Sequence, residues 1–356
     1  MALAAVGLPT AVQAEAVVHV YNWSDYIAED TLANFTAATG IKVVYDVYDA
    51  NETLEAKLFA GQSGYDVVFP TVSPFATRHV KAGLYQPVDK AALANAKHLD
   101  PVLMETLTAK DPGNAHLVPY MWGTTALGMN LAAVQKRLGA DADLADWKLL
   151  FDPATVSKLA DCGVAVLDDQ QEVLGAALLY LGKAVSSTDK ADLDAAAKTI
   201  SAIRPHLRYF HSSQYINDLA NGDLCLALGY SGDVLQARDR AAEAENGVDI
   251  AYRIPKQGAI LWVDVMAVPK DAPHPKAAHA FINYLLQPEV IAGVSNYVAY
   301  ANANKDATPL LDEGISSDPG IYPPAEVMQR LVTTETLGDK DQRVRTRLWN
   351  SIKTGR

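Results

Sequence analysis

The sequence predicts an α/β protein of two lobes, each a mostly parallel sheet flanked by helices. Three observations lead to it. Residues 17–69 read strand, helix, strand, helix, strand, the order that winds a parallel sheet. The chain has 356 residues, 49% of them hydrophobic, which suits two lobes at roughly 100–200 residues each. After an extended stretch at Pro119–Asn130, helical and strand patterns alternate again.

The elements follow from local pattern. Val17–Tyr21 is a short β-branched run and so a buried strand. Glu29–Thr39 is amphipathic, with Leu32 and Phe35 on one face, and Gly40 stops it at the C′ position. Ile41–Tyr48 returns to strand; Asp49 and Asn51 offer N-caps to a helix over Thr53–Ala60. Gly61 and Gly64 break that helix before a strand at Tyr65–Phe69. Further on come strands at Val164–Leu167 and Leu224–Leu228, a helix from Glu172 to Leu181, and a long apolar strand at Ile260–Pro269. Phe281–Leu286 lies on a helix, and Pro324–Lys353 reads as a helical tail.

The formal net charge is −12, which argues against nucleic acid or an anionic membrane as partner. Residues 1–14 form an apolar run ending Val12-Gln13-Ala14, which resembles the end of a signal peptide with the mature chain starting near Glu15. No later run reaches the roughly 18 apolar residues that span a membrane. The two cysteines, Cys162 and Cys225, are compatible with one disulfide in an oxidising compartment or with two buried thiols. Neither has a neighbour at zinc-ligand spacing, and no metal site or cofactor is expected.

Aromatic residues and carboxylates recur together beside strand ends. They fall at Trp23-Ser24-Asp25-Tyr26, Asp169 to Glu172, Tyr230 to Asp233, Trp262 to Asp264, and Tyr300. Ring faces attract ammonium groups and their methylenes, and carboxylates accept the ammonium hydrogens, so this set suits an organic polycation. In a doubly wound sheet ligands sit beyond the carboxyl ends of strands. The loops at Trp23–Tyr26 and at Pro70–Ser73 both follow strands, so one crevice is predicted to receive both. Several members have structural alternatives: Trp262 as core, Asp233 as an N-cap for Val234–Ala241, Asp169 as an exposed loop residue.

Catalytic signatures are missing. Gly182-Lys183 lacks the first glycine and the hydroxyl of a phosphate loop, and Gly229-Tyr230-Ser231-Gly232 brings its second glycine one residue too early for a nucleophile elbow. His274 and His279 are off a common helical face and read as surface residues. The run Arg343–Arg347 reads as one solvated, salt-bridged helix. No catalytic residue is assigned.

The chain resembles the periplasmic polyamine-binding proteins of bacterial ABC importers. The resemblance is carried by VYNWSDYI (20–27), TGIKVVYDVYDANETLEAKL (39–58), GYDVVFPT (64–71) and PYMWGTT (119–125). RYFHSSQYINDLANGD (208–223), NYVAYANAN (296–304), DPGIYPP (318–324) and RVRTRLW (343–349) extend it along the chain. It implies a type II two-lobed solute-binding fold closing by a hinge, with 15–126 and 256–303 in lobe 1 and 127–255 and 304–356 in lobe 2. It implies a cleft lined by Trp23, Tyr26, Tyr230, Trp262 and Tyr300. Ser24, Asp25, Asp169, Glu172, Asp233 and Asp264 match positions that receive amines, and Thr71 a small hydroxyl position. Tyr230 departs from the tryptophan common there, which keeps a ring face but covers less ligand. The family's paired cysteines match Cys162 and Cys225.

The resemblance and the residues together imply a periplasmic monomer that captures a protonated polyamine and delivers it to a membrane permease. The large face of Trp262 and the pair Asp169 and Glu172 favour spermidine over putrescine. A periplasmic sensor would use the same pocket, and an enzyme on this scaffold would need a nucleophile–base pair or metal that the sequence lacks.

Overall fold

In a computed structural model, which describes residues 16–355, two sheets share the chain. The first has strands β1 (Val17–Trp23), β2 (Lys42–Tyr48) and β3 (Val67–Val68) in the order β2-β1-β3, all parallel. The crossovers are helices Thr31–Thr39 and Asn51–Ala60. Gly40 ends the first of these with φ 71°, a left-handed conformation that a side chain disfavours. The register sets Trp23 opposite Tyr48 at the carboxyl end of the sheet, their rings 4.7 Å apart.

The second sheet is built around two long strands, β4 (Val118–Asn130) and β9 (Ala259–Met266), paired antiparallel. Around them lie β5 (Val164–Val166), β6 (Tyr209–Phe210), β7 (Leu226–Tyr230) and β11 (Leu331–Val332), in the order β11-β9-β4-β7-β5-β6. β8 (Ile250–Arg253) and β10 (Ala301–Asn302) also pair with β4. The pairings β5–β6 and β5–β7 are parallel, as the alternating pattern predicts, and the crossing strands add antiparallel ones.

β4 and β9 each pass from one hydrophobic core to another. Val118, Tyr120 and Met121 pack with Val18, Phe35 and Phe281, whereas Ala126, Leu127 and Met129 pack with Trp147, Leu174 and Leu228. On β9, Ala259 belongs to the latter core and Met266 to the former. The extended stretch expected at Pro119–Asn130 is thus a single strand shared by both cores. Beyond β3 the backbone stays beside β9 through bridges Val68–Ala267 and Thr71–Asp264, and that register carries Asp264 to the end of the first sheet.

Some local expectations are corrected. Asp49 and Asn51 do not cap their helix; it starts at Asn51, whose amide instead holds Thr71. Asp233 lies in the first turn of helix Ser231–Glu243 rather than at its cap. The tail is broken into Ala325–Met328, β11 and the helix Asp339–Thr354, Pro323-Pro324 and Gly338 preceding the two helical pieces. Within RVRTR, Arg345 is 1% exposed and donates to the carbonyls of Val185 and Ser187, so that face is packed rather than solvated. Its burial lowers the guanidinium pKa to about 10. His279 is buried too, its Nε2 accepting the Asp89 N–H at 2.9 Å. The leader assigned to residues 1–14 lies outside the described residues. No described helix is long and apolar enough to cross a membrane.

Cys162 and Cys225 form a disulfide across 63 residues of sequence. It ties the turn before β5 to the entry of β7. Closing a loop of that length restricts the unfolded chain by about 4 kcal/mol in the chain-entropy account. The double variant Cys162→Ala/Cys225→Ala should therefore lose about 2–4 kcal/mol in urea unfolding relative to the oxidised protein. An unchanged midpoint would show that the bridge adds no stability.

Candidate functional site

Between the two cores lies a cavity enclosing about 590 Å³ of empty space, its open mouth included. Strand ends and helix starts from both sides deliver its walls. β1 ends at Trp23, whose Nε1 donates to the Phe69 carbonyl at 2.7 Å and so fixes the indole plane. Ser24 follows, its N–H held by the Tyr48 carbonyl, and the Tyr26 ring meets Tyr300 edge-on at 5.0 Å. β7 ends at Tyr230, set opposite Thr125 of β4. Trp262 and Asp264 stand two apart on β9 and so share a face. The Trp262 indole donates to Thr125 Oγ1 at 3.1 Å.

The rings make a continuous aromatic wall. Trp23 lies 6.5 Å from Tyr230, Tyr230 5.7 Å from Trp262, and Trp262 5.5 Å from Tyr300, all edge to face. Edge-to-face packing leaves the electron-rich faces of some rings turned toward the space between them. Gly232 makes this wall possible: a Cβ there would sit 2.4 Å from Tyr300 ring carbons.

Carboxylates stand at intervals along the cavity. Asp233 Oδ1 accepts the Tyr300 hydroxyl at 2.6 Å and Oδ2 that of Tyr215 at 2.8 Å. Asp169 caps helix Gln170–Tyr180, its Oδ1 accepting the N–H groups of Gln171 and Glu172, so the loop-residue alternative gives way to a buried cap. Its Oδ2 accepts the Tyr230 hydroxyl at 3.3 Å. Glu172 and Asp233 occupy the first turns of their helices, where the helix dipole favours negative charge. Two oxygens, Glu172 Oε2 and Asp264 Oδ1, are buried with no hydrogen-bond donor among the described residues.

Burial governs the ionisation of these groups. It lifts Asp233 to about 7 against the opposing Tyr300 and Tyr215 hydroxyls. It lifts Asp264 to about 7 against the neighbouring Thr71 and Tyr26 hydroxyls. Glu172 is raised by burial and then by the charge of Asp169, and Asp169 is itself raised by burial. A cation entering the cavity reverses this shift, because an opposite charge favours the ionised carboxylate.

Eleven of the twelve residues proposed from sequence line this one cavity: Trp23, Ser24, Tyr26, Thr71, Asp169, Glu172, Tyr230, Asp233, Trp262, Asp264 and Tyr300. Trp262 is therefore both core and wall. Asp25 does not line it. At φ 56° its backbone is left-handed, and its carboxylate pairs with Arg240 at 2.6 Å, outside the cleft. The pair joins the loop after β1 to helix Ser231–Glu243, and Gln236 reinforces it by donating to the Asp25 carbonyl at 3.2 Å. Sequence reasoning placed the loop through Ser73 at the crevice but missed Asp49, Asn51, Pro74, Phe75, Gln171 and Ser212 as wall residues. Asp49 carried a signal, since it comes directly after the end of β2, and Asn51 opens the helix that follows; Ser212 carried none.

A cavity between two α/β cores, walled by rings and carboxylates, defines a solute-binding protein. Residues 30–323 match the family model for bacterial extracellular solute-binding proteins, and the chain belongs to that family. It is 52% identical over 96% of its length to the putrescine-binding periplasmic protein SpuD of Pseudomonas aeruginosa, covering 92% of that protein. It is 49% identical over its full length to the putrescine-binding periplasmic protein PotF of Escherichia coli, covering 96% of it. Among solved structures, a putative spermidine/putrescine ABC transporter protein from Listeria monocytogenes superposes with TM-score 0.84 at 31% identity, covering 96% of this chain and 99% of that one. The relatives are binding proteins, not enzymes.

The electrostatics set two outcomes. A folded carboxyl raised above its unfolded value holds its proton longer in the native state. Its stabilisation is present below the unfolded pKa and is lost as pH rises through the folded one. From pH 5 to 8 the ligand-free protein should lose more stability than its Asp264→Asn variant, read from urea unfolding at each pH. Equal losses would show that Asp264 does not titrate in that window. Asp25→Asn breaks a half-exposed pair worth at most about 1 kcal/mol. It should weaken ligand binding by no more than about fivefold, through faster dissociation in stopped-flow fluorescence.

Proposed function

We propose that this protein is the periplasmic binding component of an ABC importer, which captures a protonated polyamine between two lobes and delivers it to the membrane permease. The observation that carries the reading is the pair of donorless buried oxygens, Glu172 Oε2 and Asp264 Oδ1, in a cavity walled by aromatic rings. Buried carboxylates are favourable only when paired and hydrogen-bonded. An ammonium supplies both charge and hydrogens, and its methylene chain suits the ring faces. The relatives named above, putrescine-binding by name, support the same ligand class.

The lobes in this reading are 15–126 with 256–303 and 127–255 with 304–356. The hydrophobic cores that meet along β4 and β9 support that division, although Ala126, Ala259, Ala299 and Ala301 pack with the second core and Ala307 with the first. These crossing strands are the natural hinge.

The finer reading is a triamine. Carboxylates stand at three stations, at Asp233 beside Tyr300, at Asp264 beside Thr71, and at Asp169 with Glu172. A triamine such as spermidine has three ammoniums to place and a longer chain for Trp262 to cover. The names of SpuD and PotF favour the diamine instead. Calorimetry of the ligand-free chain with both polyamines separates these. Tighter binding of spermidine, with a larger loss for spermidine than putrescine in Asp169→Ala, is the expected result. Preference for putrescine would discard the triamine and keep the importer. Failure of a folded sample to bind either would sink the polyamine reading.

Trp262→Ala should cost about 1–3 kcal/mol of binding. Asp264→Ala should cost more, because it leaves a buried ammonium without its acceptor. Binding near pH 7 should release protons as Asp233 and Asp264 ionise, so affinity should fall as pH drops from 8 to 5.5. Calorimetry in buffers of different ionisation enthalpy reads this directly. A pH-independent affinity with no proton release would show these carboxyls to be ionised before the ligand arrives.

A further inference from the structure

A second cluster of chemistry-bearing residues lies at the far end of the first sheet. His19 sits near the start of β1, Asp66 just before β3, and His274 just before helix Pro275–Leu285. One ring nitrogen from each histidine and one oxygen of Asp66 lie within 4.8 Å of one another. His19 is four residues before Trp23, roughly 13 Å along the strand, so the cluster is separate from the cleft.

Asp66 is fully buried and already fixed by backbone. Its Oδ1 accepts the His274 N–H at 2.5 Å, and its Oδ2 accepts the His19 N–H at 2.8 Å. Those bonds give the carboxylate its structural role, and neither imidazole is needed for them. Yet both rings converge on it. His274 Nδ1 is 3.1 Å from Asp66 Oδ2, and the two imidazoles stack with centroids 5.7 Å apart and planes 16° off parallel. The His19 ring makes no hydrogen bond to a described residue, and the His274 side chain is 41% exposed, free to adjust toward solvent.

The geometry points to a two-histidine, one-carboxylate site for a divalent transition-metal ion of the zinc class, built from His19, Asp66 and His274. Imidazole and carboxylate are ligands suited to such ions. With bonds of about 2.0–2.2 Å, ligand atoms of a tetrahedral zinc stand roughly 3.3–3.5 Å apart. The 3.1 Å between His274 Nδ1 and Asp66 Oδ2 is close to that edge, so the ion would take the place of the proton they share. His19 closes the third position by a small ring rotation, and water completes the set on the exposed side. The ion would staple the amino end of β1 to the start of helix Pro275–Leu285, segments 255 residues apart between His19 and His274.

The test uses the untagged, chelator-treated chain titrated with Zn²⁺ by calorimetry, with Co²⁺ absorption as a second readout. One equivalent of Zn²⁺ is expected to bind and to raise the thermal midpoint, since it binds only the folded state. His274→Asn should weaken uptake at least about tenfold and abolish the midpoint shift, leaving polyamine binding unchanged. His19→Gln, whose ring is not hydrogen-bonded, provides a second variant should the first fold poorly. Absence of saturable uptake by the wild type would overturn the proposal. So would uptake unchanged in both variants, which would place the ion in the acidic cleft instead.

Discussion

The cleft is organised around carboxyl groups held out of water. Asp169, Glu172, Asp233 and Asp264 are all buried against aromatic rings. A desolvated carboxylate is expensive, so the ligand-free site holds protons that a free carboxyl would have lost. The same desolvation makes the site strong once a cation enters, because an ion pair gains as the surrounding dielectric falls. Protein hydroxyls and N–H groups supply part of the partnership in advance. Tyr215 and Tyr300 bracket Asp233 and hold its plane, while the helix start at Gln170 fixes Asp169. Glu172 Oε2 and Asp264 Oδ1 are left without a donor, although the Thr125 hydroxyl stands by the first carboxyl and the Thr71 and Tyr26 hydroxyls by the second.

The architecture that presents these groups rests on β4 and β9. Each runs through both cores, so the walls of the cleft are anchored to elements common to the two sides. Trp262 and Asp264 ride on β9 and Tyr230 pairs with β4 at Thr125, while Thr71 reaches β9 through its bridge to Asp264. A change of angle between the cores would move Trp23 and Tyr26 relative to Tyr230 and Asp233 while leaving each set internally rigid. The Asp25–Arg240 pair spans the same gap from outside the cavity.

The first sheet also has an opposite end with its own chemistry. There the buried charge of Asp66 is answered by backbone N–H groups and an imidazole rather than left open. The contrast between the two ends is one of partner supply.

The alternating strands and helices of residues 17–69 are legible in the chain alone, because period and glycine punctuation are local properties. So is the placing of aromatic and acidic residues at strand ends, and with it most of the cleft. Long-range packing settled the remainder. Asp25 has the composition of a site residue, but its left-handed backbone and the nearness of Arg240, 215 residues away, turn it out of the cavity. Asn51 reads as a cap and instead holds Thr71, and Arg345 reads as a surface cation and is buried. His19, Asp66 and His274 show no common spacing in the chain and meet only through sheet order and the helix after β9. Local conformation is written in neighbouring residues; the partner a side chain finds, and hence its charge and its role, is set by which distant segment the fold brings beside it.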